Sequence, residues 1–147
     1  MRRFVMCGAA LMVVWLGAVG VAQTKITTVE EYSKVMKSNA QANGASNKAI
    51  GSGAYADAKT QLATLRQNFM ALQGFWTEKK RDDAVGILKD GLTRIDALDK
   101  ILSAPTVDQM AAQAAAKELA GNTCAACHKL YREGDNQTGF RFKAGVI

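Results

Sequence analysis

An all-α chain, arranged as an antiparallel up-down-up-down bundle of four helices, is what the sequence predicts, on three observations. Leucine- and alanine-rich segments repeat apolar residues at spacings of three and four, the period of one face of a helix. One proline interrupts 147 residues, and β-branched residues do not gather into the short alternating runs that strands require. Four segments of roughly 22 to 26 residues with short connections pack most simply as antiparallel neighbours, each about 35 Å long.

The first helix starts at Thr27 or Thr28, where Glu30 or Glu31 three residues on completes a capping box. It runs to about Ile50, places Val29, Tyr32, Met36 and Ala40 on one face, and stops at Gly51-Ser52-Gly53. The second helix has the cleanest period in the chain: Ala58, Leu62, Leu65, Phe69, Leu72 and Trp76. Charged residues from Glu78 to Asp83 mark a turn and a new start. The third stripe is Val85, Leu88, Leu92, Ile95, Leu98 and Leu102, and Pro105 ends it. Thr106 with Gln109 offers a capping box for a fourth helix, from Val107 to about Arg132. Met70 and Met110 fall on apolar stripes and are expected in the core, as are Phe75 and Trp76.

The first and fourth helices are thin in large aliphatic residues. The fourth offers Met110, Ala111, Ala114, Ala115 and Gly121 where leucine or phenylalanine would fill a bundle. Two outcomes fit: close helix packing through alanines, or room for a buried group.

Residues 1–22 read as a cleaved signal peptide. Arg2 and Arg3 form a positive start, Val5 to Ala22 is uncharged and largely apolar, and Gly20-Val21-Ala22 supplies a small-residue cleavage site before Gln23. A membrane anchor is the competing reading, at the lower limit of a spanning length. Cys7 lies inside the apolar run and is not preceded by a lipobox. The expected division is a leader at 1–22, a bundle at 23–134 and a tail at 135–147, with the mature chain exported to the periplasm and meeting the membrane only through its leader.

Composition narrows the function. Removing Arg2 and Arg3 from 19 basic residues leaves 17 against 13 acidic ones, a net charge of +4 that would steer an acidic partner protein. The lysines and arginines are scattered without a basic face of interleaved aromatics, which gives no case for nucleic acid. A single histidine forbids a Ser-His-Asp arrangement in sequence context, and no glycine-rich phosphate loop follows a strand, so hydrolase and nucleotide-binding readings fail. The chain is not expected to be an enzyme.

The chemistry lies late in the fourth helix, at Cys124-Ala125-Ala126-Cys127-His128. Cys-x-x-Cys-His is the attachment signature of a c-type haem. Two thiols three positions apart can each add to one vinyl group of the porphyrin, and the adjacent imidazole reaches the iron, so one stretch supplies both tethers and an axial ligand. A closed zinc site needs four ligands, and the mature chain offers Cys124, Cys127 and His128. A thioredoxin-like pair would open a helix after a strand, whereas this one lies late in a helix. A structural disulfide explains neither the histidine nor the thin core.

Placed near the C-terminus on the last helix, the motif and the following Tyr131-Arg132, together with Lys34-Val35-Met36-Lys37-Ser38-Asn39 on the first helix, make the whole mature chain resemble the class II c-type cytochromes, the cytochrome c′ and cytochrome c-556 group. The resemblance implies a four-helix bundle carrying one covalently attached haem c per chain, with Cys124 and Cys127 as thioethers and His128 as axial iron ligand. In that group the first helix supplies the residue on the opposite face. Low-spin members of the c-556 type place a methionine there, and Met36 falls on that position, near Asn39 and Tyr55. A thioether raises the reduction potential and closes the site, which suits electron transfer; packing on the ring is the plainer alternative for Met36.

Arg132, one turn beyond His128, would tune the haem by its charge or sit solvated at the helix end. Gly121 would let the porphyrin approach the backbone, and Phe69, Phe75 and Trp76 pack on the ring or fill the core, the latter being the expectation. The chain departs from the high-spin pattern at Tyr32, where those members often carry an arginine near a haem propionate. The connection between the second and third helices looks shorter than in many relatives. The tail alternates Phe140 and Phe142 with Arg141 and Lys143, and either covers a haem edge or frays. The resulting expectation is a periplasmic monohaem electron carrier with a redox partner protein. Its alternative is a five-coordinate, high-spin cytochrome c′ that binds NO or CO. Relatives of this kind also form homodimers through the outer faces of the first two helices.

Overall fold

The computed structural model describes residues 25–135 and 137–147. The expected leader, with its cleavage site and Cys7, lies outside the described residues. The described chain is an all-α bundle with one small hairpin. Its elements are α1 (Val29–Ser52), α2 (Tyr55–Glu78), α3 (Asp82–Leu102) and a fourth helical run made of α4 (Gln109–Leu119), a π-helical segment (Ala120–Ala125) and α5 (Ala126–Tyr131). Two-residue strands β1 (Arg132–Glu133) and β2 (Arg141–Phe142) follow and pair antiparallel. No helix among the described residues is long and apolar enough to cross a membrane.

Local chemistry sets the helix ends. The Thr28 hydroxyl accepts from the Glu31 N–H at 3.1 Å, while the Glu31 carboxylate accepts from the Thr28 N–H, so the capping box forms at Thr28 and Glu31. Gly53 closes α1 in the left-handed region at φ 77°. Pro105 lies between α3 and α4 as expected, but the expected box at Thr106 does not form. Asp108 caps α4 instead, its carboxylate accepting from the Ala111 N–H at 2.9 Å. Gln109 caps a different helix: its side-chain amide donates to the carbonyls of Ile50 and Gly51 at the end of α1.

Helix contacts join α1 to α2, α2 to α3, α3 to the fourth run, and that run back to α1. Side-chain contacts tie these neighbours together. Tyr32 stacks near Phe75, and Asn39 meets Asn68. Lys59 meets Ser103, and Arg66 pairs with Asp96. Arg94 pairs with Glu118 at 3.5 Å. These exposed ion pairs mark register more than they stabilise, since such pairs contribute at most about 1 kcal/mol.

The core follows the α2 stripe closely. Ala58, Leu62, Leu65, Phe69, Leu72 and Trp76 are all buried, and α3 buries Leu88, Ile95, Leu98 and Leu102 while Val85 and Leu92 are half-buried. Each fully buried large side chain contributes roughly 1.5–3 kcal/mol of apolar transfer. On α1 the buried residues are Tyr32, Asn39, Ala42, Ser46, Ala49 and Ile50, and Val29 is exposed rather than inward. On the fourth run the inward residues are Ala112, Ala116, Leu119, Thr123, Cys127 and Tyr131. That corrects the expected thin face by about one position: Met110 is 80% exposed, Ala114 is exposed, and Gly121 faces open space. Met70, on the outer side of α2, is also exposed rather than in the core.

Three successive inward spacings of four residues, from Leu119 to Tyr131, outrun the 3.6 residues of an α-turn. The wider π segment takes up the difference and keeps Thr123, Cys127 and Tyr131 on one line. Gly121-Asn122-Thr123, three weak helix formers in a row, is where the widening is easiest.

The tail does not fray. β2 lies beside β1 with Arg132 opposite Phe142 and Glu133 opposite Arg141, and Phe142 enters an aromatic cluster with Tyr32, Phe75 and Trp76 at centroid distances of 4.8, 6.2 and 5.6 Å. Gly134 turns the hairpin at φ 85°, where a Cβ would collide with the Gly139 carbonyl oxygen. The boundary expected after 134 therefore falls inside the hairpin.

Candidate functional site

Cys124, Cys127 and His128 stand at positions i, i+3 and i+4 of one helical run, the spacings that share a face. That face closes an inner cavity of about 280 Å³, whose other walls are Met36, Asn39, Ala40 and Asn43 from α1, Phe69 and Leu72 from α2, Leu88 from α3 and Thr123. The structure thus gathers Met36, Cys124, Cys127 and His128 around one space, although Met36 is far from the motif in sequence. An outer, open concavity of about 490 Å³ shares Cys124 and His128 and adds Ala120, Ala125, Lys129, Arg132 and Gly134. The inner cavity alone lies just below the usual range of small-molecule sites, about 300–1,000 Å³.

The electrostatics separate the chemistries on offer. Burial raises the pKa of both thiols, with Cys127 pushed up to about 11 and the neighbouring Cys124 and Asp83 adding to its shift. A disulfide oxidoreductase needs a thiol shifted the other way. Burial, reinforced by the charge of Arg132, lowers His128 below its ordinary value, so the imidazole is neutral at pH 7 with a ring nitrogen free to ligate. Among the described residues no group of three or more His, Cys, Asp or Glu side chains converges to hold a metal ion directly. The donor set that does converge is two thiols, one imidazole and one thioether around a largely apolar space. That set is one a c-type haem could use, with the two thiols as tethers and the imidazole and thioether as donors available to its iron.

Other expected residues fall in different places. Arg132 is not on the helix. The helix ends at Tyr131, and Arg132 turns into β1 at φ −108°, ψ 141°. Its guanidinium lies 4.1 Å from the Phe140 ring centroid, on the wall of the outer concavity beside His128. Tyr55 opens α2 beside the α1–α2 turn and lines neither cavity. Phe69 lines the inner cavity, whereas Phe75 and Trp76 belong to the aromatic cluster. Tyr32, in place of the arginine of high-spin relatives, is buried in that cluster.

Two polar residues of the site were missed by apolar periodicity. Asn39 is buried on α1, and its side-chain oxygen accepts from the Asn68 amide at 2.9 Å; Asn68 also donates to Ser38 at 3.0 Å. This arrangement leaves the Asn39 amide nitrogen as a donor on a cavity-lining residue. Thr123 is 1% exposed, and its hydroxyl has no protein partner. Tyr131, behind the motif, packs on Trp76 at 4.7 Å and under the Arg81 guanidinium at 4.8 Å. Comparisons with protein-family models, curated proteins and solved structures return no match for this chain.

Proposed function

We propose that the chain is a periplasmic monohaem c-type cytochrome of the cytochrome c-556 kind, an up-down-up-down bundle that carries single electrons and is not an enzyme. The observation that supports this best is the convergence of Met36 with Cys124, Cys127 and His128 on one cavity. Cys124 and Cys127 would hold haem c as thioethers, and His128 and Met36 would be the ligands to its iron. The bound haem supplies a one-electron iron couple whose potential a thioether ligand raises.

The remaining wall residues serve that couple. Phe69, Leu72 and Leu88 exclude water from the cavity, and the neutral state of His128 keeps its lone pair available without loss of a proton. Arg132 places a positive charge beside the His128 face, which favours the reduced form over the more positive oxidised one. Its exposure screens that effect.

A second reading has one observation in its favour. The Asn39 amide nitrogen, left as a donor by the Asn68 contact to its oxygen, is the kind of group that would donate to a small ligand such as NO or CO at a five-coordinate iron. The two readings part at Met36. Protein produced in a host with c-type haem machinery should retain its haem through acid extraction, lose that retention in Cys124→Ala/Cys127→Ala, and lose low-spin character in Met36→Ala. Haem that is extracted from the native chain by acid would refute covalent attachment.

A further inference from the structure

The fourth helical run meets α1 unevenly. α4 packs on α1, and Gln109 caps the end of that helix, whereas α5, which carries Cys127 and His128, packs on α3. The inner cavity has Met36 from α1 and His128 from the fourth run among its walls. Beyond it, the seam between α1 and α5 is bridged by side chains: Trp76 from α2 and Phe142 from the tail. The Trp76 ring lies 5.7 Å from that of Tyr32 and 4.7 Å from that of Tyr131, and the Phe142 ring lies 4.8 Å from that of Tyr32.

Phe142 differs from Trp76 in being tied to the end of α5 by its own backbone. The chain leaves α5 at Tyr131, forms β1, turns through Gly134 and Gly139 at positive φ, and returns as β2. The Lys143 N–H donates to the Tyr131 carbonyl at 2.9 Å, and the Lys143 ammonium donates to the Lys129 carbonyl. The hairpin is otherwise lightly built. Its strands are two residues long, and its Glu133–Arg141 pair lies at the surface. Phe142 and Val146 are the returning residues that pack on the core. Tyr32 stands one turn before Met36, and Tyr131 one turn after His128. The tail thus grips each helix within a turn of a residue that lines the cavity, and close-packed elements transmit such a hold.

We infer that Phe142 is a positioning residue: the hairpin straps the start of α1 to the end of α5, and so holds the Met36 thioether and the His128 imidazole at a separation at which both can serve one group. The inference rests on the function proposed above. It gives the tail a part in ligation although no tail residue lines the inner cavity. Release of the strap acts on the two donors unequally. His128 adjoins Cys127 and stays in place through the thioether tethers, whereas Met36 is held only by the position of α1 and its own flexible side chain. Met36 is therefore the donor that is lost.

The test uses the haem-loaded protein and releases the strap in two ways. Phe142→Ala removes the ring. Gly134→Ala keeps the ring but breaks the turn, where a Cβ would meet the Gly139 carbonyl oxygen at φ 85°. Each should make the reduced spectrum respond to CO, and each should speed amide hydrogen exchange across residues 29–36 about tenfold. Phe142→Tyr restores the ring and should leave both readouts native. Leu102→Ala, buried on α3 away from this seam, should lower the unfolding midpoint without a CO response. Gly134→Ala decides the matter if Phe142→Ala does not fold, because it leaves the core side chains intact. CO-insensitive strap variants, exchange that quickens only across 132–147, or an equal CO response in Leu102→Ala would overturn the inference. Native protein without covalent haem, or already responsive to CO, would sink the proposed function; exchange across 29–36 then still decides whether the strap holds α1.

Discussion

Gly91→Ala probes the contact that positions the motif. Gly91 is buried on α3, and a Cβ built there would lie 2.5 Å from Thr123 Cγ2, 2.7 Å from Phe69 Cε2 and 3.1 Å from Phe69 Cδ2. Carbon atoms pack at about 3.5–4.0 Å, so the methyl is short of room by about 1 Å against two residues at once. Neither can yield cheaply: Thr123 is β-branched and 1% exposed, and Phe69 is 3% exposed. Overpacking of this kind costs about 1–3 kcal/mol. Alanine regains about 1 kcal/mol of helix propensity, leaving a net loss of up to about 2 kcal/mol. Urea unfolding should show a lower midpoint at unchanged slope. Gly74→Ala, on α2 with nothing within 4 Å of its Cβ, should instead gain up to about 1 kcal/mol. If Gly91→Ala matched Gly74→Ala in stability, the proposed close contact between α3 and the π segment would be refuted. Because Thr123 adjoins Cys124, Gly91→Ala should also lower the fraction of chains that acquire haem.

Other consequences follow from the fold and its charges. Thr28→Ala removes one half of the capping box and should cost about 1 kcal/mol, read as a lower thermal midpoint. Phe142→Ala withdraws the half-buried ring that pins the hairpin to Tyr32, Phe75 and Trp76, and should cost about 1–3 kcal/mol while amide exchange across 132–147 accelerates. The Arg81 guanidinium, hydrogen-bonded to Asp83 at 3.3 Å, holds the Asp83 carboxyl at about 2, below its ordinary 3.8. Its stabilising contribution is complete above about pH 4 and is lost as pH falls through about 2. Asp83→Asn should therefore flatten the fall in stability over that interval, measured as urea midpoints at pH 5 and pH 2.5; an unchanged fall would contradict the role of the pair.

Most of the bundle was legible because its second and third helices carry unambiguous apolar stripes, which tertiary packing has no reason to override. The fourth run was harder. Its alanines look alike on every face, so the inward line could be placed only by Leu119, Thr123, Cys127 and Tyr131, and their four-residue spacing is the signal of the π segment that an α-helical template misreads. Met70 and Met110 fit apolar stripes by type, but they lie outside the faces that meet a neighbour. The inward face of α1 carries Asn39 and Ser46, polar residues that hydropathy discards although Asn39 lines the cavity. Cys124, Cys127 and His128 could be singled out because covalent chemistry fixes residue type and spacing. Met36 rested on position alone until the structure placed it among the residues that line the same cavity. The tail was illegible because two-residue strands leave no period, and Phe142 shows its role only through the cluster it enters.

The measurement that bears most directly on the account is the optical spectrum of the matured protein, oxidised and reduced, with and without CO, beside that of Met36→Ala. The account predicts sharp low-spin bands that do not respond to CO in the native chain, and high-spin, CO-sensitive bands once Met36 is removed. Native protein with broad high-spin bands that shift with CO, or a Met36→Ala spectrum identical to the native one, would contradict it.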